Sequence, residues 1–250
     1  MGAIAWAKSG VVSNVIKRNL IYHVYPLKNS IWQWNVEKLT KYLHVFNGQM
    51  IISIATDEKT DNPDKVMEIL GGKCQYNIVS NIPHLGEANT FISAMSCVRS
   101  TNPYESTFYA HTKGVKYREN KPMERCAKSW ANAMYELNLG VPRAIDRILQ
   151  SYEAAGCFKL TGNGVPGNEK HNWYFAGTFF WLKHSAIFTK AWHEIAMHYW
   201  GVEHYPGKHI ESDRAYTIQG ISKSMYDFET QPAEYEKTID WLKRYAETGR

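Results

Sequence analysis

The sequence predicts an α/β protein built on a mostly parallel, doubly wound sheet. Three observations carry that expectation. Short runs rich in β-branched and aromatic residues alternate at least four times with segments of helical period. Several of those runs, MIISIAT above all, are apolar almost throughout, as strands covered on both faces are. At 250 residues, with 44% hydrophobic and 21% charged residues, the chain is long enough for one large domain with its own core.

The elements follow in order. Residues 19–25 (NLIYHVY) predict a first strand, stopped by Pro26. Val36, Leu39, Leu43 and Phe46 recur at helical spacing within residues 34–46, and Gly48 ends that helix. Residues 49–57 predict a second strand closing on Thr56-Asp57. Pro63-Asp64 then opens a helix that Gly71-Gly72 ends. Residues 74–81 (CQYNIVSN) predict a third strand, residues 90–98 a helix capped by Asn89-Thr90, and residues 106–110 (STFYA) a fourth strand. Helices over 123–137 and 142–156 come next, the second with Pro142 in its first turn. Residues 157–162 (CFKLTG) offer a fifth strand. Residues 162–172 (GNGVPGNEKHN) form a loop, either a mobile active-site loop or a plain surface one. Residues 173–182 (WYFAGTFFWL) read as one strand with Gly177 in its middle. Such a glycine marks either close approach by a ligand or a bulge. A helix rich in Trp and His follows. Residues 1–18 allow a short amphipathic helix, and residues 232–250 predict a surface helix. With no internal repeat or low-complexity linker, residues 1–250 read as a single domain.

Net charge is +5 and the pI about 8.8, spread along the chain without a block of five like charges. That distribution argues against a nucleic-acid groove and suits a small anionic substrate such as a nucleotide. Four widely spaced cysteines, with no CxxC, read as reduced buried thiols of a cytoplasmic protein. No apolar run reaches the roughly 18 residues of a membrane span, so any membrane contact is expected to be peripheral.

In open α/β sheets, ligands bind beyond the carboxyl ends of the strands. That rule selects Tyr25 and Pro26 after the first strand, Thr56, Asp57 and Glu58 after the second, Asn81 and His84 after the third, and, densest of all, the cluster His111-Thr112-Lys113-Gly114 after the fourth. The cluster offers a point charge, a hydroxyl and a glycine that lets backbone approach a ligand, a set suited to a diphosphate. The alternative is a solvated turn. No P-loop and no GxGxxG occurs, which disfavours ATP and NAD. His193 and His198 stand five apart, about 140° round a helix, so they do not form a zinc pair. No GxSxG elbow appears, which disfavours an α/β-hydrolase. Near residue 213, Glu211 and Asp213 beside Arg214 offer either a general base or an ordinary helix start.

Taken together, His111-Thr112-Lys113, then Gly177-Thr178-Phe179-Phe180-Trp181, then His209 with Asp213-Arg214 resemble the rhamnan-synthesis type of glycosyltransferase, which assembles bacterial surface polysaccharides. That family runs HTK, GTMFW and HxxER; LGEANTF (residues 85–91) also resembles its GE…F stretch. The resemblance spans roughly residues 19–225. It implies a GT-A-like fold and transfer of a sugar from a UDP-, GDP- or dTDP-linked donor to a glycan acceptor. Many GT-A enzymes carry a DxD metal motif where this chain has HTKG, so metal-independent transfer and a role for Mn²⁺ or Mg²⁺ both stay open. The late element departs too, since His209 and Asp213 stand one residue further apart than the pattern asks. On this resemblance Lys113 and His111 stabilise the leaving diphosphate, with Thr112 and Arg214 also on the donor. Asp57 and Tyr25 hold the nucleoside, the sugar faces Gly177, and Asp213, or in reserve Glu211, acts as base. The alternative is a non-catalytic nucleotide- or carbohydrate-binding protein of the same fold.

Overall fold

The computed structural model describes residues 16–117, 119–161, 173–221 and 229–250. In chain order the elements are β1 (Lys17–Val24), α1 (Ser30–Thr40), β2 (Met50–Thr56), α2 (Asp64–Leu70), β3 (Gln75–Ser80), α3 (Ala88–Cys97) and β4 (Glu105–His111). Then come α4 (Lys121–Leu139), α5 (Pro142–Ser151), β5 (Ala154–Gly156), β6 (Lys159–Thr161), β7 (Trp173–Phe175) and β8 (Phe180–Lys183). The chain closes with α6 (His184–Ile187), α7 (Gly201–His209), β9 (Ala215–Thr217) and α8 (Glu236–Thr248).

Among the described residues the central sheet has seven strands in the order β3-β2-β1-β4-β8-β5-β9. β1 pairs in parallel with both β2 and β4, and β2 with β3. β8 runs against β4 and β5, and β9 runs parallel to β5. This is the mostly parallel, helix-flanked sheet expected. β6 and β7 form a separate antiparallel ribbon.

Alternation along the strands divides the core in two. Leu20, Tyr22, Ile52, Ile54 and Phe108 face one way, against buried residues of α1, α4, α5 and α8. Ile21, Ile51, Tyr109 and Phe180 face the other, against α3 and α7. Burial on both faces explains the unbroken apolar runs.

Several expectations need correction. The helix placed at 34–46 begins at Ser30, because the Asn29 side chain accepts from Ile31 N and caps it. It ends at Thr40, and residues 43–45 make a separate 3₁₀ turn. The helix placed at 142–156 stops at Ser151, and Ala154-Ala155-Gly156 enter the sheet. Small residues suit that strand, since a Cβ on Gly156 would lie 2.9 Å from the Phe175 ring. WYFAGTFFWL is two strands in two sheets, turned apart at Gly177 (φ 91°) and Thr178 (φ 64°). The Trp- and His-rich segment is helical only at 184–187 and again from Gly201. Lys17 and Arg18 belong to β1, so no helix reaches residue 18, and residues 1–15 lie outside the described residues, as does the loop 162–172. The C-terminal helix spans Glu236–Thr248, behind a 3₁₀ turn at 232–234. Of the cysteines, Cys74, Cys126 and Cys157 are buried but Cys97 is exposed, and none is bonded to another.

Candidate active site

The chain leaves β1 to build β2 and β3 on one side, then crosses to β4 on the other. This switch point opens a crevice at the carboxyl ends of adjacent strands. There lies a cleft of about 380 Å³, lined among others by Tyr25, Asp57, Asn81, Glu87, His111 and Lys113.

The HTKG turn is built from several elements at once. His111 is the last residue of β4. Thr112 N–H donates to His23 O at 3.0 Å and its hydroxyl accepts from Tyr25 N at 3.1 Å, which ties the ends of β1 and β4 together. Gly114 has φ 83°, and a Cβ there would sit 2.8 Å from the Ala127 Cβ on α4, so the turn requires glycine twice over. Asn35, fully buried on α1, grips the Lys113 backbone: its amide donates to Lys113 O at 2.9 Å and its carbonyl accepts from Lys113 N at 3.2 Å. Replacing Asn35 with Ala leaves buried backbone groups unmet and is expected to cost about 1–3 kcal/mol. It should also weaken nucleotide binding; thermal melts with and without UDP check both effects.

Glu87, at the entrance to α3, lies 2.7 Å from His111 Nδ1, with both side chains mostly buried. His111 Nε2 stands 3.3 Å from Gly177 O. Both ring nitrogens therefore face acceptors, and satisfying both takes two N–H groups, the imidazolium form. Burial pushes the Glu87 carboxyl up, but the charge and hydrogen bond of His111, with the charge of His23, outweigh it and hold Glu87 well below the usual carboxylate range. Lys113 Nζ lies 5.1 Å from the Trp130 ring centroid, and Lys116 Nζ 4.0 Å from that of Tyr199. Among the described residues neither lysine has an ion-pair partner. Burial holds the Lys116 ammonium below the usual lysine value; Glu87 opposes this and the like charge of Lys113 adds to it. One wall of the cleft thus carries two lysines that no carboxylate among the described residues pairs directly.

The opposite end is a polar pad. Asp57 Oδ2 accepts from Tyr25 Oη and from Asn81 Nδ2, both at 2.8 Å, and Oδ1 accepts from Lys59 N at 2.9 Å. Burial would raise the Asp57 carboxyl, yet the bonds from Asn81, Tyr25 and Lys59 keep it below its ordinary value. Burial, then the bond to Asp57, lifts the Tyr25 hydroxyl to about 12.

Asp57 and Glu87, the carboxylates lining the cleft among the described residues, already serve Tyr25, Asn81, Lys59 and His111. Among the described residues no three His, Cys, Asp or Glu are grouped to hold a metal.

No family model matches the chain, and no curated protein matches it in sequence. Solved structures do overlap it. One is a 4-diphosphocytidyl-2C-methyl-D-erythritol synthase, at 12% identity and TM-score 0.39, covering 90% of this chain and 99% of that one. Another is a candidate nucleotide-diphospho-sugar transferase from Desulfovibrio desulfuricans G20, at 11% identity and TM-score 0.41, covering 91% and 94%. Overlaps this loose carry no weight for the chain's activity.

Of the residues chosen from sequence, Tyr25, Asp57, His111, Thr112 and Lys113 converge on the cleft. Gly177 adjoins it through its carbonyl only. A Cβ there would meet Met134 Sδ at 2.8 Å and the Trp130 ring at 3.0 Å, so its bare side faces α4 and leaves no room for a sugar. Glu211, Asp213 and Arg214 are not brought to the cleft. They precede β9, whose first residue, Ala215, is level with Ala154, Leu182 and thus Thr107, while the cleft lies beyond His111 at the other end of β4. Arg214 instead pairs with Glu153 at 3.4 Å. Asn81, at the end of the third strand, also lines the cleft as the strand-end rule expects, whereas Glu87, Asn35, His23, Lys116 and Tyr199 were not selected from sequence. Glu87 carried a signal, the GE of LGEANTF. The others join the site through contacts distant in sequence.

The buried histidines set a pH dependence. Burial, with the His111 charge adding and Glu87 opposing, holds His23 at about 4. At the far end of the sheet burial, with Lys17 adding, holds His184 at about 4. As pH falls through 6.5 the unfolded chain takes up protons that the fold refuses until about pH 4. Unfolding free energy is therefore expected to fall on acidification across that window, by up to about 1.4 kcal/mol per pH unit for each histidine. Glu87, with its depressed value, adds a loss of the same sign at lower pH. Urea midpoints measured from neutral pH downward test this, and His23→Gln should flatten the slope.

Lys116, Lys113, Lys59 and His111 provide the cationic chemistry. The membrane question has a narrower answer: among the described residues no helix is long and apolar enough to cross a bilayer.

Proposed function

We propose that the cleft binds a nucleotide-diphosphate sugar and that the protein transfers the sugar to a glycan acceptor. The observation that carries this reading is the cationic wall at the end of β4: Lys113 and Lys116, without ion-pair partners among the described residues, beside His111 held between Glu87 and Gly177. A diphosphate laid across the strand ends would meet these charges, and the Tyr25–Asp57–Asn81 pad would take the nucleoside. In the transfer an acceptor oxygen forms a bond to the anomeric carbon while the bond from that carbon to the phosphate oxygen breaks. The electron pair leaves on the diphosphate, and the acceptor's proton passes to a base or to water. Fixed cations aimed at the leaving oxygen do part of what a divalent metal does elsewhere. Metal-independent transfer is part of this proposal, supported by the prior engagement of both cleft carboxylates.

The distance of Glu211 and Asp213 from the cleft favours a second reading, a protein that binds the nucleotide without transferring. Release of nucleoside diphosphate from UDP-, GDP- and dTDP-sugars, assayed in EDTA with a panel of saccharide acceptors, separates the two. Acceptor-dependent release supports transfer. Tight nucleotide binding with no release under any pairing supports the second reading.

A further inference from the structure

The cleft opens on an aromatic rim. Met197, Tyr199 and Trp200 are 57%, 36% and 43% exposed, three of the five large apolar side chains left exposed among the described residues. Apolar side chains gathered at the surface in this way mark an interaction site. Tyr199 joins the rim to the cleft, because it lines the cleft itself. Its ring lies 4.0 Å from Lys116 Nζ and packs against Gly86, where a Cβ would lie 3.1 Å from Tyr199 Cδ2. We propose that this rim receives the acceptor saccharide, with Glu203 as the base that takes its proton. The inference rests on the cleft holding the sugar nucleotide.

Trp200 is the plate. No ring among the described residues stacks parallel to it: Tyr199 meets it at 89° and His198 at 61°. A sugar can pack its C–H face on such a ring and turn its hydroxyls outward. Residues 191–207 contain no lysine or arginine, the side chains that an anionic membrane surface draws. A neutral saccharide therefore fits the rim better than a charged bilayer.

Glu203 supplies the hydroxyl-binding group. His204 N–H donates to Trp200 O at 3.1 Å, so the first turn of α7 takes in Trp200, and Glu203 three residues on shares its side of the helix. Glu203 Oε1 accepts from Gly177 N at 2.9 Å, while Gly177 O faces His111 Nε2 at 3.3 Å. One residue thus separates Glu203 from the ring that faces the leaving diphosphate in the proposed transfer. The Glu203 side chain is half-buried, and its other oxygen accepts no hydrogen bond among the described residues. That oxygen is left for an acceptor hydroxyl. As the hydroxyl oxygen bonds to the anomeric carbon, its proton passes to Glu203, and the electron pair of the broken carbon–oxygen bond leaves on the diphosphate.

Two variants test this. Trp200→Ala removes the plate, and the fold should survive the loss of an exposed side chain. Glu203→Gln keeps an oxygen for the Gly177 N–H and removes the base. Saturation-transfer NMR would be run with the methyl glycosides of glucose, galactose, mannose and rhamnose, UDP, GDP and dTDP binding followed by thermal shift, and acceptor-dependent release assayed alongside. The expected result is that at least one glycoside binds the native chain and that Trp200→Ala weakens its binding about tenfold. Glu203→Gln should keep glycoside binding while release falls about 10²–10⁴-fold. The nucleotide shift persists in both variants. Glycoside binding unaffected by Trp200→Ala, or absent from a protein that binds nucleotide, overturns the rim assignment. So does binding to phosphatidylcholine vesicles that Trp200→Ala abolishes in a chain that binds no glycoside. Undiminished release in Glu203→Gln overturns its role as base. Glycoside binding that Trp200→Ala weakens, in a protein that binds no nucleotide, overturns the donor reading instead.

Discussion

Lys113→Ala is expected to lower donor turnover by about 10²–10³-fold, the usual cost of removing one preorganised charge from a leaving group. The fold should survive the change. The Lys113 side chain is only partly buried, and among the described residues its ammonium meets the Trp130 ring, a contact worth about 0.5–1 kcal/mol. The turn itself is held by backbone bonds to Asn35 and by the close approach of Gly114 to Ala127, none of which involves the ammonium. A loss of turnover with little loss of stability therefore assigns the effect to charge. Turnover equal to that of the native chain removes Lys113 from the leaving-group role.

Glu87→Gln is expected to cost about 3–5 kcal/mol of stability, because it removes one partner of a mostly buried ion pair and leaves the other charge uncompensated. His111→Gln alone should be destabilising for the same reason, with the carboxylate now stranded. The double variant should recover part of the loss, and the recovery measures the coupling. If the single losses simply add, Glu87 and His111 do not act as a charged pair, and the imidazolium has no basis.

Much of this site was legible in the sequence because strand ends are. Tyr25, Asp57 and His111 follow unbroken apolar runs, and a parallel sheet sends the carboxyl ends of such runs to one edge. What the pattern does not encode is strand direction once the sheet becomes mixed. β8 runs backward, α7 carries the chain toward the far edge, and β9 then starts there, so Asp213 and Arg214 lie away from the cleft despite the family-like spacing. Gly177 was conspicuous in sequence for a reason that proved local: it turns the chain between two strands and makes room for Met134 and Trp130. Asn35 left no trace in any motif. It lies in a helix 78 residues before Lys113, and only the packing of α1 against the turn gives it a role. The buried trio His23, Glu87 and His111 is likewise a product of register, since His23 and His111 are direct partners across β1 and β4.

The central claim is that the cleft's own cations hold a nucleoside diphosphate. Thermal shift of the native chain and of Lys113→Ala, with UDP-, GDP- and dTDP-sugars in EDTA and again in Mn²⁺, tests it most directly. The account predicts that at least one nucleotide sugar raises the melting temperature in EDTA and that Lys113→Ala loses most of that rise. No rise with any of them, or a rise that requires Mn²⁺ and persists in Lys113→Ala, would contradict it.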